Sequence, residues 1–236
     1  MLRSRPVQAG EIIGEAWALY KAHWRHLLPV AAAFYLIIAI VTLLLTLAFG
    51  AFGAVLAAIG SLVGYFWLAG ALTEGVADIR DGRADVSLRD TFARVWPRVW
   101  TLLGAGLLAG LGIAIGLVLL IVPGLILLTW WALISPAVVL EKKGVIEAFG
   151  RSRELVRGYG WSVFAVVILT ILIGIIVGLA ISVALLWLPD EVQSFLGGLL
   201  NGIVTAPFVA LAWTLMYFRL KELREEPQPA QAPVPA

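Results

Sequence analysis

Few side chains in this chain are placed to do chemistry. His23 and His26 stand three apart, which puts both on one helical face where a Glu could help to hold a metal. No third ligand with suitable spacing accompanies them, so no metal is expected. The absence of Cys excludes disulfides, thiolate metal sites and cysteine nucleophiles. No glycine-rich phosphate loop, no Ser-His-Asp set and no paired carboxylates beyond loop acids can be placed. The expectation is a non-enzyme without a cofactor.

Recognition is better supported than catalysis. Arg151, Arg153 and Arg157 accompany an apolar stripe, Val145, Phe149 and Val156, with Ser152 between. They are the candidates for lipid headgroup contact, since a basic side chain close to anionic lipid contributes about 1 kcal/mol. The plainer role for such charges is topology and anchoring. Trp131, Pro136 and Pro207 fall deep inside apolar runs and are the candidates for a groove or hinge. Each proline removes a helical hydrogen bond, and packing alone is the simpler reason for such a bend.

These residues must be carried by apolar elements. Of 236 residues, 61% are hydrophobic and only 14% charged, and the mean hydropathy is +0.98. No soluble globule of this size has room inside for so much apolar side chain, so both a water-soluble fold and disorder are excluded. The runs free of Asp, Glu, Lys and Arg are 26–73, 99–140, 158–189 and 192–218. A helix crosses a bilayer in roughly 20 residues. The first two runs therefore hold two crossings each and the last two hold one each. The helices are expected at about 27–49, 54–73, 101–122, 125–140, 161–188 and 195–218, with turns at 50–53 and at Pro123-Gly124. Continuous rather than alternating apolar runs speak against a β-barrel. The fold class is an all-α integral membrane protein of six crossings in three hairpins. Residues 1–26 form a cytoplasmic amphipathic segment, 27–218 the membrane domain, and 219–236 a Pro-rich disordered tail. A cleavable signal peptide and a separate catalytic domain are not expected.

All 17 Lys and Arg fall before the first expected crossing, after the second, after the fourth or in the tail. The other side carries only Asp190 and Glu191. Basic residues stay on the side of synthesis, so both termini are expected to be cytoplasmic. An apolar stripe of helical period precedes each hairpin: Ile13, Trp17, Tyr20 and Trp24; Leu88, Phe92, Val95 and Val99; then Val145, Phe149 and Val156. Such helices lie in the membrane interface. Ser87 with Asp90 resembles a capping box, and Pro97 should end the second stripe. Glu15-Ala16-Trp17, Asp90-Thr91-Phe92 and Glu147-Ala148-Phe149 share an acid followed two residues later by an aromatic. Three copies point to an internal triplication; the plainer alternative is that every membrane hairpin needs an interfacial run-in.

Small residues four apart let membrane helices approach closely. Gly106 with Gly110, Gly112 with Gly116, and Gly174 with Gly178 are the expected packing positions. A leucine at Gly110 should therefore disrupt assembly.

The run from Arg5-Pro6-Val7 through Gly10-Glu11-Ile12-Ile13 to His23-Trp24 resembles the start of the bacterial YciC-like membrane proteins. That family includes the membrane domain preceding the catalytic domain of some glycerophosphoryl diester phosphodiesterases. Pro136-Ala137-Val138-Val139-Leu140-Glu141, Glu147-Ala148-Phe149, Arg151-Ser152 and Trp161 extend the resemblance. It implies a six-helix protein of the bacterial inner membrane. The phosphodiesterase chemistry belongs to a different domain and does not carry over. The expected partners are membrane lipids, with a membrane protein or a second copy as alternatives and no nucleic acid. Three functions stay open: lipid or partner binding in envelope upkeep, transport or lipid translocation, and service as an accessory domain to a separately encoded phosphodiesterase.

Overall fold

The structure is a computed structural model that describes residues 8–80 and 88–225. Ser87 and the tail beyond Glu225 lie outside the described residues, as do Arg3, Arg5 and Arg83. The described residues form helices and turns only: α1 (Ala9–Arg80), α2 (Leu88–Val95), a 3-10 turn (Trp96–Arg98), α3 (Val99–Leu119), α4 (Ile121–Trp130), α5 (Ile134–Leu140), α6 (Val145–Val156), α7 (Gly160–Ala184) and α8 (Asp190–Glu225). Five helical stretches are long and apolar enough to cross a membrane: Leu27–Arg80, Asp90–Leu119, Ile121–Leu140, Gly160–Ala184 and Asp190–Glu225.

The first of these stretches is not straight. Its 54 residues would extend roughly 80 Å at 1.5 Å per residue, more than twice a bilayer core of about 30 Å. Gly50, at φ 58°, breaks the helix in a conformation that side chains with a Cβ resist. The chain then folds back on itself. A Cβ at Gly53 would overlap the Leu45 carbonyl, and one at Gly64 would come within 2.9 Å of Phe34 and 3.0 Å of Ile38. A second, milder break at His23 (φ −116°) separates the N-terminal leg from the rest, and the His23 ring nitrogen lies 3.2 Å from the Leu19 carbonyl oxygen.

The turn between α3 and α4 falls at Leu120 (φ −157°, ψ 130°) rather than at Pro123-Gly124. Pro123 sits instead in the first turn of α4, where its missing N–H would have no intrahelical partner anyway. Gly124 serves packing: a Cβ on Gly116 would stand 2.9 Å from the Gly124 Cα. The expected fourth helix is two helices, since the chain opens at residues 131–133 and restarts at Ile134. Pro136 is in the first turn of α5, so it terminates the upstream helix instead of bending it. The expected fifth helix ends at Ala184. The last helix runs past residue 218 to Glu225, so the stretch 219–225 is helical rather than tail. Glu222 pairs there with Arg80, and Lys221 lies 4.0 Å from Glu225.

Two apolar cores hold the helices together, both toward the end that carries the charges. One gathers Ile12 and Ala16 of the N-terminal leg with Leu155, Val163, Leu211 and Leu220. The other joins Val95, Leu102, Ala105, Ala137, Val138 and Ala148. At the opposite end the apolar side chains point outward, with Leu47, Leu119 and Leu186 more than two-thirds exposed. Soluble proteins rarely expose such continuous apolar surface; lipid would cover it.

The three acid-x-aromatic segments occupy matching environments. Ala16, Thr91 and Ala148, the middle residues, are all buried. Phe92 packs edge-on against Trp67 in the return leg of α1, with centroids 5.1 Å apart. Phe149 does the same with Trp131, at the end of α4, at 4.9 Å. Trp17 packs edge-on against Phe208 of α8 at 6.3 Å. The second segment thus docks on the return leg of α1, the third on the ring just past α4, and the first on the last helix. Burial in the first segment falls on Ile12 and Ala16, one position before the stripe expected from the sequence, while Trp17 and Trp24 remain about half exposed.

Candidate functional site

Two places concentrate polar groups among apolar ones. The first is a cavity of about 260 Å³ between the two legs of α1, the start of α5 and the middle of α8. Tyr35, Tyr65 and Phe66 line it from α1, together with Thr73. Ser135 and Pro136 line it where α5 begins, and Thr205, Val209 and Trp213 along α8. No Asp, Glu, Lys, Arg or His is in its lining. The broken chain explains why the space exists. The α4 helix stops before reaching it, Pro136 occupies the first turn of α5, and α8 contains Pro207 one residue beyond the lining residue Ala206. Pro207 cannot donate to a carbonyl one turn earlier. The neighbouring Val204 carbonyl accepts the Tyr20 hydroxyl at 3.0 Å, which ties the N-terminal leg to this part of α8.

The open segment at 131–133 is held by a single side chain. Ser152 of α6 is fully buried and its hydroxyl donates to the Trp130 carbonyl at 2.6 Å. Its oxygen accepts the Leu133 N–H at 3.2 Å. One hydroxyl therefore supplies both partners that the interrupted helix needs on that side. The α6 helix is itself started by Glu147, whose carboxylate accepts the Gly144 N–H at 3.1 Å.

The second place is the polar end. Arg151 donates through Nε to both oxygens of Glu141, at 2.9 and 2.8 Å. It also reaches Glu154 at 3.1 Å and Glu225 at 3.4 Å. Tyr217 donates to Glu141 at 2.8 Å. Burial disfavours the Arg151 charge, but the bonds to Glu141 and Glu154 outweigh it and hold the pKa above the ordinary arginine value. Arg94, four residues after its acid as Arg151 is after Glu147, pairs with Asp78 at 3.2 Å and Glu74 at 3.3 Å. The N-terminal copy has Leu19 at that position, and Glu222 and Glu225 of α8 pair instead with Arg80 and Arg151.

The expected site residues therefore divide. Arg151 is occupied by carboxylates. Arg153 lies over the Trp130 ring at 4.4 Å, and Arg157 is exposed, its carbonyl accepting from Arg224. Pro136 lines the cavity, whereas Trp131 packs away from it against Phe149 and Gly112. Pro207 is buried beside it. Among the glycines, a Cβ at Gly106 would overlap the Phe66 ring and one at Gly112 would come within 2.6 Å of Trp131. Gly178 faces Asn201, at 3.4 Å. Gly110 and Gly174 have nothing within 4 Å, so the close approaches on α3 are made at Gly106, Gly112 and Gly116. Ser135 and Thr205 stand out in the sequence as hydroxyls inside apolar runs. Tyr35 and Tyr65 escape that reading, although a phenol inside such a run is an apolar body with a polar tip.

Long apolar helices with an apolar exterior and a charged end are the make-up of a membrane-type helical protein. The chain belongs to a family defined by a domain of unknown function, DUF7847, whose model matches residues 25–220. No curated protein and no solved structure matches the chain.

Proposed function

We propose that this chain is a non-enzymatic, multi-pass membrane protein that binds lipid inside its helical bundle, in the upkeep of the cell membrane. The observation that carries the reading is the uncharged cavity between α1, α5 and α8, walled by aromatic rings and hydroxyls. A concave, mostly apolar space with a few convergent polar groups is the usual form of a small-ligand site.

The proposal includes six crossings in three hairpins. The fold-back at Gly50 supports counting Leu27–Arg80 as two crossings. The proposal also puts both termini in the cytoplasm. In support, the ion pairs among the described residues join only segments that the sequence assigns to that side, such as Arg80 with Glu222 and Arg151 with Glu225. An inner-membrane location and kinship with the YciC-like proteins rest on the sequence resemblance.

Native mass spectrometry of the protein extracted gently from its own membrane tests the main reading. A lipid retained at fixed stoichiometry is the expected result; a bare monomer carrying only random lipid would overturn it. A second reading, lipid translocation or solute transport, draws on the α4–α5 break and Pro207 beside the cavity. Movement of labelled lipid or solute in reconstituted vesicles, abolished by filling the cavity, would favour it. Service to a separate phosphodiesterase rests on the resemblance alone and predicts co-purification with such an enzyme.

A further inference from the structure

The polar atoms around the cavity are unequal in what they can offer. The Thr73 hydroxyl donates to the Ala69 carbonyl at 2.8 Å, and that of Thr205 to the Asn201 carbonyl at 2.6 Å. The Trp213 indole N–H is directed at Thr170, 3.2 Å away. These three donors are occupied within the protein. Among the described residues, the Tyr35 and Tyr65 hydroxyls have no protein partner, and the Ser135 hydroxyl has only a weak acceptor, the Thr73 oxygen 3.5 Å away, since Thr73 gives its own proton to Ala69. Two unpartnered phenols and one weakly held hydroxyl thus belong to residues that line a space without a charge of either sign. A hydroxyl among apolar groups gains from an acceptor, so these groups favour a ligand that offers one.

Charge and size select the acceptor. A phosphate or carboxylate would enter without any cation in the lining, and an unpaired charge is not tolerated in such surroundings. Ester carbonyls, ethers and alcohols accept hydrogen bonds without that penalty. A volume of about 260 Å³ lies just under the range of small-ligand pockets, about 300–1,000 Å³. That suits a glycerol unit with its ester groups rather than two whole acyl chains. The depth agrees. Phe66 lines the cavity, and the next residue, Trp67, donates to the Phe92 carbonyl of amphipathic α2 at 3.0 Å. Aromatic belts of this kind mark the headgroup level, with the esters just beneath. Tyr65 lines the cavity and is 54% exposed on the apolar outer surface, where chains can lie.

We propose that the cavity takes the glycerol-ester region of an uncharged lipid of the diacylglycerol kind, with Tyr35, Tyr65 and Ser135 donating to its carbonyl and hydroxyl oxygens. The assignment rests on the lipid-binding reading above and narrows it to one chemical class.

The test uses the full chain in phosphatidylcholine vesicles with diazirine-bearing diacylglycerol, or with phosphatidic acid of the same chains. Diacylglycerol should label peptides containing residues 65–73 and 205–213 at least about tenfold more than phosphatidic acid does. The double variant Tyr35→Phe, Ser135→Ala removes two donors while keeping the shape, and should cut that labelling about tenfold. Ala210→Phe fills the space and should abolish it. Equal labelling by phosphatidic acid, or unchanged labelling of the double variant, would overturn the neutral-lipid assignment while leaving lipid binding in place. Absence of any lipid at these peptides, with native mass spectra unaltered by Ala210→Phe, would overturn both.

Discussion

Replacing Ser152 by Ala tests the idea that one hydroxyl holds the helix break open. The substitution removes a single oxygen from a fully buried position. It strands the Trp130 carbonyl and the Leu133 N–H, which lie 2.6 and 3.2 Å from that oxygen. Each buried main-chain group left without a partner costs about 1–3 kcal/mol, so the expected loss for the two is about 2–6 kcal/mol. For a chain of this size 1 kcal/mol moves Tm by about 2–4 °C, giving a fall of roughly 4–24 °C. Thermal unfolding in detergent, followed by far-ultraviolet circular dichroism, reads the effect. Amide exchange at 131–134 should accelerate in the same variant. Gly150→Ala on the same helix is the control: a Cβ there meets nothing within 4 Å, and helix propensity favours the change by up to about 1 kcal/mol. Unchanged Tm and unchanged exchange in Ser152→Ala would refute the reasoning.

Gly124→Ala should destabilise the α3–α4 contact, because its Cβ would stand 2.6 Å from the Leu117 backbone nitrogen. Gly110→Leu should leave the stability of the single chain in detergent unchanged, because a side chain there meets nothing within 4 Å, and a marked loss would contradict the structure. Arg151→Gln leaves Glu141, whose side chain is 10% exposed, without its cation and should cost of the order of 2–3 kcal/mol. Glu154→Gln, at a side chain 62% exposed, should cost less than about 0.5 kcal/mol, and equal losses in chemical denaturation would sink that distinction. The chain has no Cys, so single cysteines report topology cleanly. One at Phe49 or Leu120 should react with an impermeant maleimide added outside cells, and one at Lys142 only after permeabilisation; the reverse pattern would invert the proposed orientation.

The acid-x-aromatic pattern is short, yet its physical content is specific. The acid lies in the first turn of α2 and of α6, where a carboxylate meets unpaired N–H groups. The small residue permits close docking, and the aromatic packs edge-on against a second ring. In the N-terminal copy Glu15 lies well inside α1, whose first-turn acid is Glu11, so there the pattern keeps its docking role without the helix-start role.

The sequence by itself determined that the protein is helical, that its exterior is apolar and that its charges gather at one end. Those properties follow from composition and from local periodicity, which act within a turn or two of the chain. Gly50 as a reversal and Pro97 at the end of α2 belong to the same local class. Tertiary structure alone decided the rest. A proline marks a lost hydrogen bond, but only the fold sets which helix ends there and which distant group, here Ser152, repairs the gap. A glycine marks a possible approach, but only packing separates Gly106 and Gly116 from Gly110 and Gly174. An arginine near an apolar stripe suits a phosphate or a carboxylate equally, and the arrival of Glu141 and Glu225 gave Arg151 to carboxylates. The cavity belongs to this second class too, because its hydroxyls come from helices more than sixty residues apart along the chain.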